Sequence, residues 1–440
     1  PNLAVAPATV ARTRRIWTRG LTRFPSTASS FSSFGEWVGA FSPLAKYQGT
    51  IYGKRFVQRK CQRVYSSSIP EVAKAEAKGD GEGRTLCLIV DPEMGLGVQK
   101  KVAKRVLQEV DVQGNDSIYV GLATFPRPFN DSITSIEHTL RLYYEFLELL
   151  ITDLDLPPTF NSTVLFPRQL DRFLREYNVD AVVTIPFKSS SSGIDIEDIQ
   201  AKRNELGLRN FERITPPEIH GATETDDPSP LDICANLDSS HPVEQRSIEG
   251  IHHPQHVCVG GTFDRLHGGH KLLLSVCAVL AAAGRKARED GKKTPRNSGS
   301  IVLGLASGGL LAGKVHEDLI EPFEARESRV LSFLSLLDPT IDVHMFALED
   351  PFGPSVEIMD LTTLVVSEES QRGGEKVNEE RIKRGMQPLE VHVVGLVPQS
   401  QKEIEAVLGE SVSKKPRKVS STDIREYLAS VSTTDQGAAP

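Results

Sequence analysis

Residues 257–274 read VCVGGTFDRLHGGHKLLL. Val257 and Val259 make a short apolar run, Gly260-Gly261 break it, and the apolar pattern that resumes at Leu272 keeps helical spacing through Leu280. The stretch is therefore expected to be a buried strand, a tight turn and a helix. Between the two elements lie Thr262, Asp264, His267 and His270, and Gly268-Gly269 let the backbone approach whatever sits over the helix start. Free N–H groups and the positive end of the helix dipole converge there, which suits a phosphate.

Two imidazoles flanking two glycines at a helix N-terminus can both donate toward a triphosphate. They can also stabilise the charge that develops when its α-phosphorus is attacked. Such a transfer needs no covalent participation by the protein. Gly260, Gly261, Thr262 and Phe263 precede the pair, and the Thr262 hydroxyl stands where a second phosphate would be held. An isolated HxxH is more often a surface or capping pair. The strand and glycines in front of this one favour the phosphate reading.

Downstream, a charged insertion at 284–300 is expected to be a mobile loop. It leads into apolar strands at 301–305, 343–347, 361–366 and 389–394, with helices across 319–337 and 375–383. With 257–263 as strand one, this is a five-stranded parallel sheet whose ligand is expected at the carboxyl ends of the strands. Lys314 follows strand two and Arg372 follows strand four, both past carboxyl ends. A lone loop cation is usually solvated, but the shared placement makes these two candidates. Residues 418–427, KVSSTDIREY, form a second constellation. Ser421 or Thr422 caps a helix opening at Asp423, and Ser420, Ser421 and Thr422 with Lys418 and free N–H groups make a second anion site.

Upstream, strands are expected at 86–90, 117–120, 163–166 and 181–185. They alternate with helices, a long one over 135–153 and another over 169–177, as in a parallel sheet covered on both faces. Gly95 and Gly97 do not complete a phosphate-binding fingerprint, and the unit holds no catalytic constellation. The expected organisation is a disordered basic segment and linker at 1–84, an N-terminal α/β domain of unknown role at 85–187 and an acidic, largely disordered linker at 188–254 that includes a polar helix-like stretch. A nucleotidyltransferase-type α/β domain at 255–430 and a disordered tail at 431–440 complete it. Residues 1–250 are expected to be dispensable for chemistry.

The 440 residues carry a net charge of −7, and 39% are hydrophobic. Residues 1–65 hold eleven Lys and Arg against one acid, Glu36, so the remainder carries −17. That balance argues against a nucleic-acid partner for the folded body, and no apolar run is long enough to span a membrane. The basic start fits a mitochondrial transit peptide or an unstructured tail, so the expected location is cytoplasmic, or mitochondrial if the segment is a targeting signal. Five scattered cysteines without CxxC spacing are read as reduced thiols, with neither a disulfide nor a metal role. The cluster His252, His253 and His256 is read as incidental.

The motifs GGTFDRLHGGHKLLLS (260–275), LIEPFEAR (319–326), DPFGP (350–354), VVSEESQRGGEKVN (365–378) and VSSTDIR (419–425) occur in order. In this the chain resembles the HxGH nucleotidyltransferases and, among them, the eukaryotic-type phosphopantetheine adenylyltransferases, over about residues 255–430. The resemblance implies a Rossmann-like fold and transfer of AMP from ATP, with its Mg²⁺, to 4′-phosphopantetheine. It further implies that Thr262 positions the acceptor phosphate and that His267 and His270 hold ATP phosphates and stabilise the transition state. Lys314 would neutralise the reacting phosphates, Ser420, Ser421 and Thr422 would bind the triphosphate, and Arg372 and the 260–263 loop would contact ATP. SGGLL (307–311) departs from the acidic residue usual in the family after strand two. No P-loop follows Thr422, so the chain is expected to stop at dephospho-CoA. Rival readings are a related transferase acting on nicotinate mononucleotide or an alcohol phosphate, and a non-catalytic nucleotide-binding scaffold.

Overall fold

β1 (Thr85–Val90) places six consecutive residues in the interior, as a strand must when helices cover both faces of a parallel sheet. The computed structural model describes residues 83–124, 132–185, 194–216, 229, 255–283, 299–395, 397 and 420–436. All of them fall within one compact unit, Gln58–Pro440. The expectations for the basic start, the linker up to 82, the insertion at 284–298, His252, His253 and Lys418 lie outside the described residues.

After β1 come α1 (Leu96–Glu109), β2 (Ser117–Leu122), α2 (Ile133–Asp153), β3 (Asn161–Leu165), α3 (Pro167–Glu176), β4 (Ala181–Thr184), α4 (Ile196–Glu205) and β5 (Glu212–Ile214). The strands are all parallel, in the order β3-β2-β1-β4-β5. The sheet therefore runs on past residue 187, into the stretch expected as linker. α4 looks polar because Ile199 is its one buried apolar residue. What holds it is the fully buried Arg203, which donates to the Leu174 and Tyr177 carbonyls at the end of α3, both at 2.7 Å. Asp195 caps the helix through the Glu197 and Asp198 N–H groups, each at 3.0 Å.

The second sheet is built from β6 (His256–Gly261), α5 (Gly268–Ala283), β7 (Ser300–Ala306), α6 (Phe323–Leu337), β8 (Asp342–Leu348), β9 (Thr363–Ser367), α7 (Gln371–Lys383) and β10 (Glu390–Val394). It too is parallel, in the order β10-β9-β6-β7-β8. Both sheets thus repeat one topology: the first strand is central, two strands are laid to one side, and the chain then crosses to the other. In the second sheet this puts the switch point between β6 and β9, the crevice where open α/β sheets take their ligands.

The closing helix α8 (Ser421–Gln436) enters the region expected as a disordered tail. Its C-terminal part is polar, and the Ser430 and Ser432 hydroxyls donate back to the Tyr427 and Leu428 carbonyls at 2.6 and 2.9 Å.

The two sheets are not separable bodies. α2 packs along α5, and Leu140, Tyr144 and Leu147 of the one share a single buried cluster with Leu272, Val276 and Leu280 of the other. Arg172 on α3 donates to the Ser335 and Leu336 carbonyls at the end of α6. Glu137 on α2 lies 2.8 Å from His392 Nε2 on β10 and accepts the Gly395 N–H at 3.0 Å. Burial opposes ionisation of Glu137, but His392, the Gly395 N–H and Arg141 outweigh it and hold the carboxyl below its ordinary range. The dispensability expected for residues 1–250 finds no support in this continuous core.

Candidate active site

Gly260 and Gly261 end β6 opposite Gly304 and Leu305 of β7, and α5 opens seven residues later at Gly268. The intervening loop is held in an uncommon shape, since Phe263 and Arg265 take φ of 48° and 52°, left-handed values that cost bulky residues free energy. Such a shape persists only where surrounding contacts over-determine it. Here a buried polar frame does so.

Asp264, with no exposed surface, sits at the centre of the frame. Its Oδ2 accepts from Arg425 Nη1 on α8 at 2.5 Å, and its Oδ1 accepts the Glu321 N–H at 2.9 Å. Arg326, also buried, donates from Nη1 to the Thr262 carbonyl at 2.8 Å and the Ala306 carbonyl at 3.0 Å, and from Nε to the Glu321 carbonyl at 2.9 Å. Glu321 accepts the Arg265 N–H at 2.8 Å. The loops after β6 and β7 and the start of α8 are thereby tied at one point. The sequence reading places Asp264 in the turn without a role and passes over Glu321, Arg326 and Arg425. The available signal was that distant motifs each contain a charge in otherwise structural surroundings.

His267 and His270 come together. Their rings stack with centroids 3.9 Å apart and 26° between planes, and the Phe263 ring lies 5.2 Å from that of His270. Both rings are half-buried, and neither Nδ1 has a hydrogen-bond partner among the described residues. Burial lowers the His270 pKa to about 4 against the opposing pull of Asp264. Burial first, then the neighbouring His270 and Lys271, put His267 well below the ordinary range. Both imidazoles are neutral at pH 7, so each can donate one N–H. A Cβ on Gly269 would stand 3.3 Å from the His267 ring, so a side chain there would press on that imidazole.

At the start of α8 the cap differs from expectation. The helix begins at Ser421, and Ser420 caps it. Ser420 Oγ accepts the Asp423 N–H at 3.2 Å, while Asp423 Oδ2 accepts the Ser420 hydroxyl at 2.6 Å and its N–H at 3.1 Å. Ser421 Oγ donates to the Asp264 carbonyl at 2.8 Å, and Thr422 Oγ1 accepts from Arg425 at 3.3 Å. The three hydroxyls thus serve the protein itself, and the helix N-terminus they build faces the loop after β6.

Thr262 is half-buried. Lys314 is exposed in the turn between short 3₁₀ segments at Gly308–Leu310 and Glu317–Leu319, and Arg425 Nε fastens that turn by donating to the Val315 carbonyl at 2.9 Å. Arg372 is exposed in the first turn of α7, which follows β9 after a 3₁₀ turn at Glu368–Ser370. Neither cation has a side-chain partner among the described residues. Among those residues no group of three or more His, Cys, Asp or Glu is arranged to hold a metal ion, and no helix is long and apolar enough to cross a membrane.

A parallel α/β sheet with paired histidines at the helix start beside its switch point defines a Rossmann-like domain of the nucleotidyltransferase kind. No family model matches the chain. It is 36% identical over 172 residues to the phosphopantetheine adenylyltransferase of Saccharomyces cerevisiae, covering 39% of this chain and 48% of that protein. It is 30% identical over 143 residues to the Pyrobaculum aerophilum protein of the same name, covering 32% of this chain and 81% of the relative. Against the Pyrococcus horikoshii one it is 35% identical over 141 residues, covering 32% of this chain and 78% of the relative. The chain belongs to the phosphopantetheine adenylyltransferase family. It spans about half the length of the Saccharomyces relative and most of each archaeal one.

Proposed function

We propose that the protein transfers AMP from ATP to 4′-phosphopantetheine, forming dephospho-CoA and releasing pyrophosphate. The observation that carries this reading is the stacked His267–His270 pair at the start of α5, with the serine turn of α8 locked to the same loop through Asp264.

In this reading the acceptor's phosphate oxygen attacks the α-phosphorus in line, and the bond to the β-phosphate oxygen breaks. The phosphoanhydride of dephospho-CoA forms, and pyrophosphate carries off the bonding electrons. The protein supplies position and electrostatics. Neutral His267 and His270 donate to the triphosphate, and the approaching negative charge favours their protonation, so they gain strength as charge develops. Thr262 orients the acceptor phosphate. The N–H groups of the first turn of α8, arranged by Ser420, Ser421 and Thr422, receive the β- and γ-phosphates. Lys314 and Arg372, exposed and without a side-chain partner among the described residues, supply positive charge to the phosphates, and the loop of Gly260, Gly261 and Phe263 contacts ATP. Mg²⁺ arrives as part of the ATP substrate.

The test is label transfer. With ATP labelled at the α-phosphate, the label is expected in dephospho-CoA when 4′-phosphopantetheine is present and not when it is omitted. Transfer to nicotinate mononucleotide or an alcohol phosphate instead would replace the acceptor, and no transfer by folded protein would remove the reading.

A further inference from the structure

We propose that the first α/β unit is a working part of the active site, and that Lys271 is the positioning residue through which it sets the histidine-bearing turn of α5. The kinetic arm of this proposal rests on the adenylyl-transfer reading; its structural arm does not.

Lys271 follows His270 directly. Its side chain is buried, and its ammonium reaches out of the second unit into the first. There Nζ donates to Asn161 Oδ1 at 2.7 Å, the Ser162 carbonyl at 2.7 Å and Thr163 Oγ1 at 3.1 Å, all on β3. All three ammonium protons are used, so the group cannot shift without losing a bond inside a buried site, where an unmade bond is costly.

A second element lies close against the same turn. Glu148 on α2 is buried, and a Cβ added to Gly268 would stand 3.1 Å from its Oε1 and 3.3 Å from the Tyr144 ring. The lysine after His270 is therefore bonded into the first unit and the glycine after His267 packs closely against it, with the two imidazoles between them.

The charged groups facing Lys271 are Glu148 from α2 and Arg329 from α6, with His267 on its own turn. Burial pushes Lys271 down and Glu148 up, and each opposes the other's neutralisation. The lysine charge also helps keep His267 neutral. An apolar residue would pack in this core at less cost. The ammonium supplies register between β3 and the histidine turn, where displacement by about 1 Å costs on the order of 100-fold in rate.

The test uses the full chain in three forms: wild type, Lys271→Met and Arg172→Met. Arg172→Met removes another tie between the units, at the end of α6, and is expected to lower Tm without changing kcat. Lys271→Met is expected to lower kcat by about 10- to 100-fold with KM for ATP nearly unchanged. Amide hydrogen exchange in peptides covering 262–274 is expected to be faster in Lys271→Met than in either other form.

Wild-type kcat and wild-type exchange in Lys271→Met would overturn the proposal, as would kcat losses that track Tm equally in both variants. If wild type transfers no AMP, the adenylyl-transfer reading falls and the exchange comparison alone decides this one. If Lys271→Met does not fold, Asn161→Ala, at an exposed position, removes one acceptor of Lys271 together with the amide's own bond to Ser117 Oγ. It is expected to give a smaller change in the same direction, and no change there would equally overturn the inference.

Discussion

Replacing Asp264 by asparagine removes a charge while keeping an oxygen for the Glu321 N–H, so it isolates the pair with Arg425. Asp264 is 0% and Arg425 2% exposed, so the variant leaves a buried guanidinium without its carboxylate. Breaking such a pair from one side costs about 3–5 kcal/mol. For a body of this size each kcal/mol shifts Tm by about 2–4 °C, giving an expected fall of about 6–20 °C. The fall is capped if α8 lets go before the rest unfolds. That helix is held by buried Ile424, by the Ser421 hydroxyl and by Arg425 on the Val315 carbonyl. Thermal denaturation is therefore to be read with hydrogen exchange over 420–432, and either Tm falls or α8 loses protection. Asp264→Asn combined with Arg425→Met is expected to recover most of the loss, because no unpaired charge remains. Unchanged Tm together with wild-type protection of α8 in Asp264→Asn would refute the role given to this frame.

His267→Ala and His270→Ala are each expected to lower kcat by about 10²–10³-fold with the fold intact by circular dichroism, the scale of losing one preorganised donor. The depressed histidines also make stability fall with acid. A folded pKa of about 4 for His270 against 6.5 unfolded means that its contribution is complete above pH 6.5 and is lost as pH drops toward 4. Tm of wild type is expected to fall more than that of His270→Gln across that window, and parallel profiles would count against the shift. Gly121→Ala drives a Cβ into the Leu170 side chain, an overpacking expected to cost about 1–3 kcal/mol in denaturant titration. A fragment starting at residue 255 strips α2 from α5. It is expected to aggregate or melt early on gel filtration and thermal scanning, and a stable, fully active fragment would contradict the shared core.

The parts of the fold legible in the sequence are those whose signal is local. β1, β6 and β7 are apolar runs bounded by turns, and the long α2 and the α5 stretch carry helical periodicity, so a parallel sheet in each half followed directly. The stretch of α4 reads only as a polar, helix-like part of a linker and β5 goes unread, because the anchor is a buried arginine and periodicity has no symbol for a charge that bonds carbonyls of a neighbouring helix. At the site, the loop that carries His267 and His270 is tied to the α8 turn through contacts between Asp264 and residues more than 150 positions away. Lys271 and Glu148 read as ordinary helix charges because what buries them lies over 100 residues off in the chain. The cap at Ser420 rather than Ser421 or Thr422 reflects Asp423 serving as the reciprocal partner, a one-residue register that composition leaves open.

The most direct measurement is product analysis by mass spectrometry of the full chain with Mg²⁺-ATP and 4′-phosphopantetheine, beside the His267→Ala/His270→Ala double variant. Stoichiometric dephospho-CoA and pyrophosphate from wild type, and neither above background from the double variant, is the expected result. Dephospho-CoA formed equally by both would contradict the site assigned here, and none formed by either, in folded protein, would contradict the function.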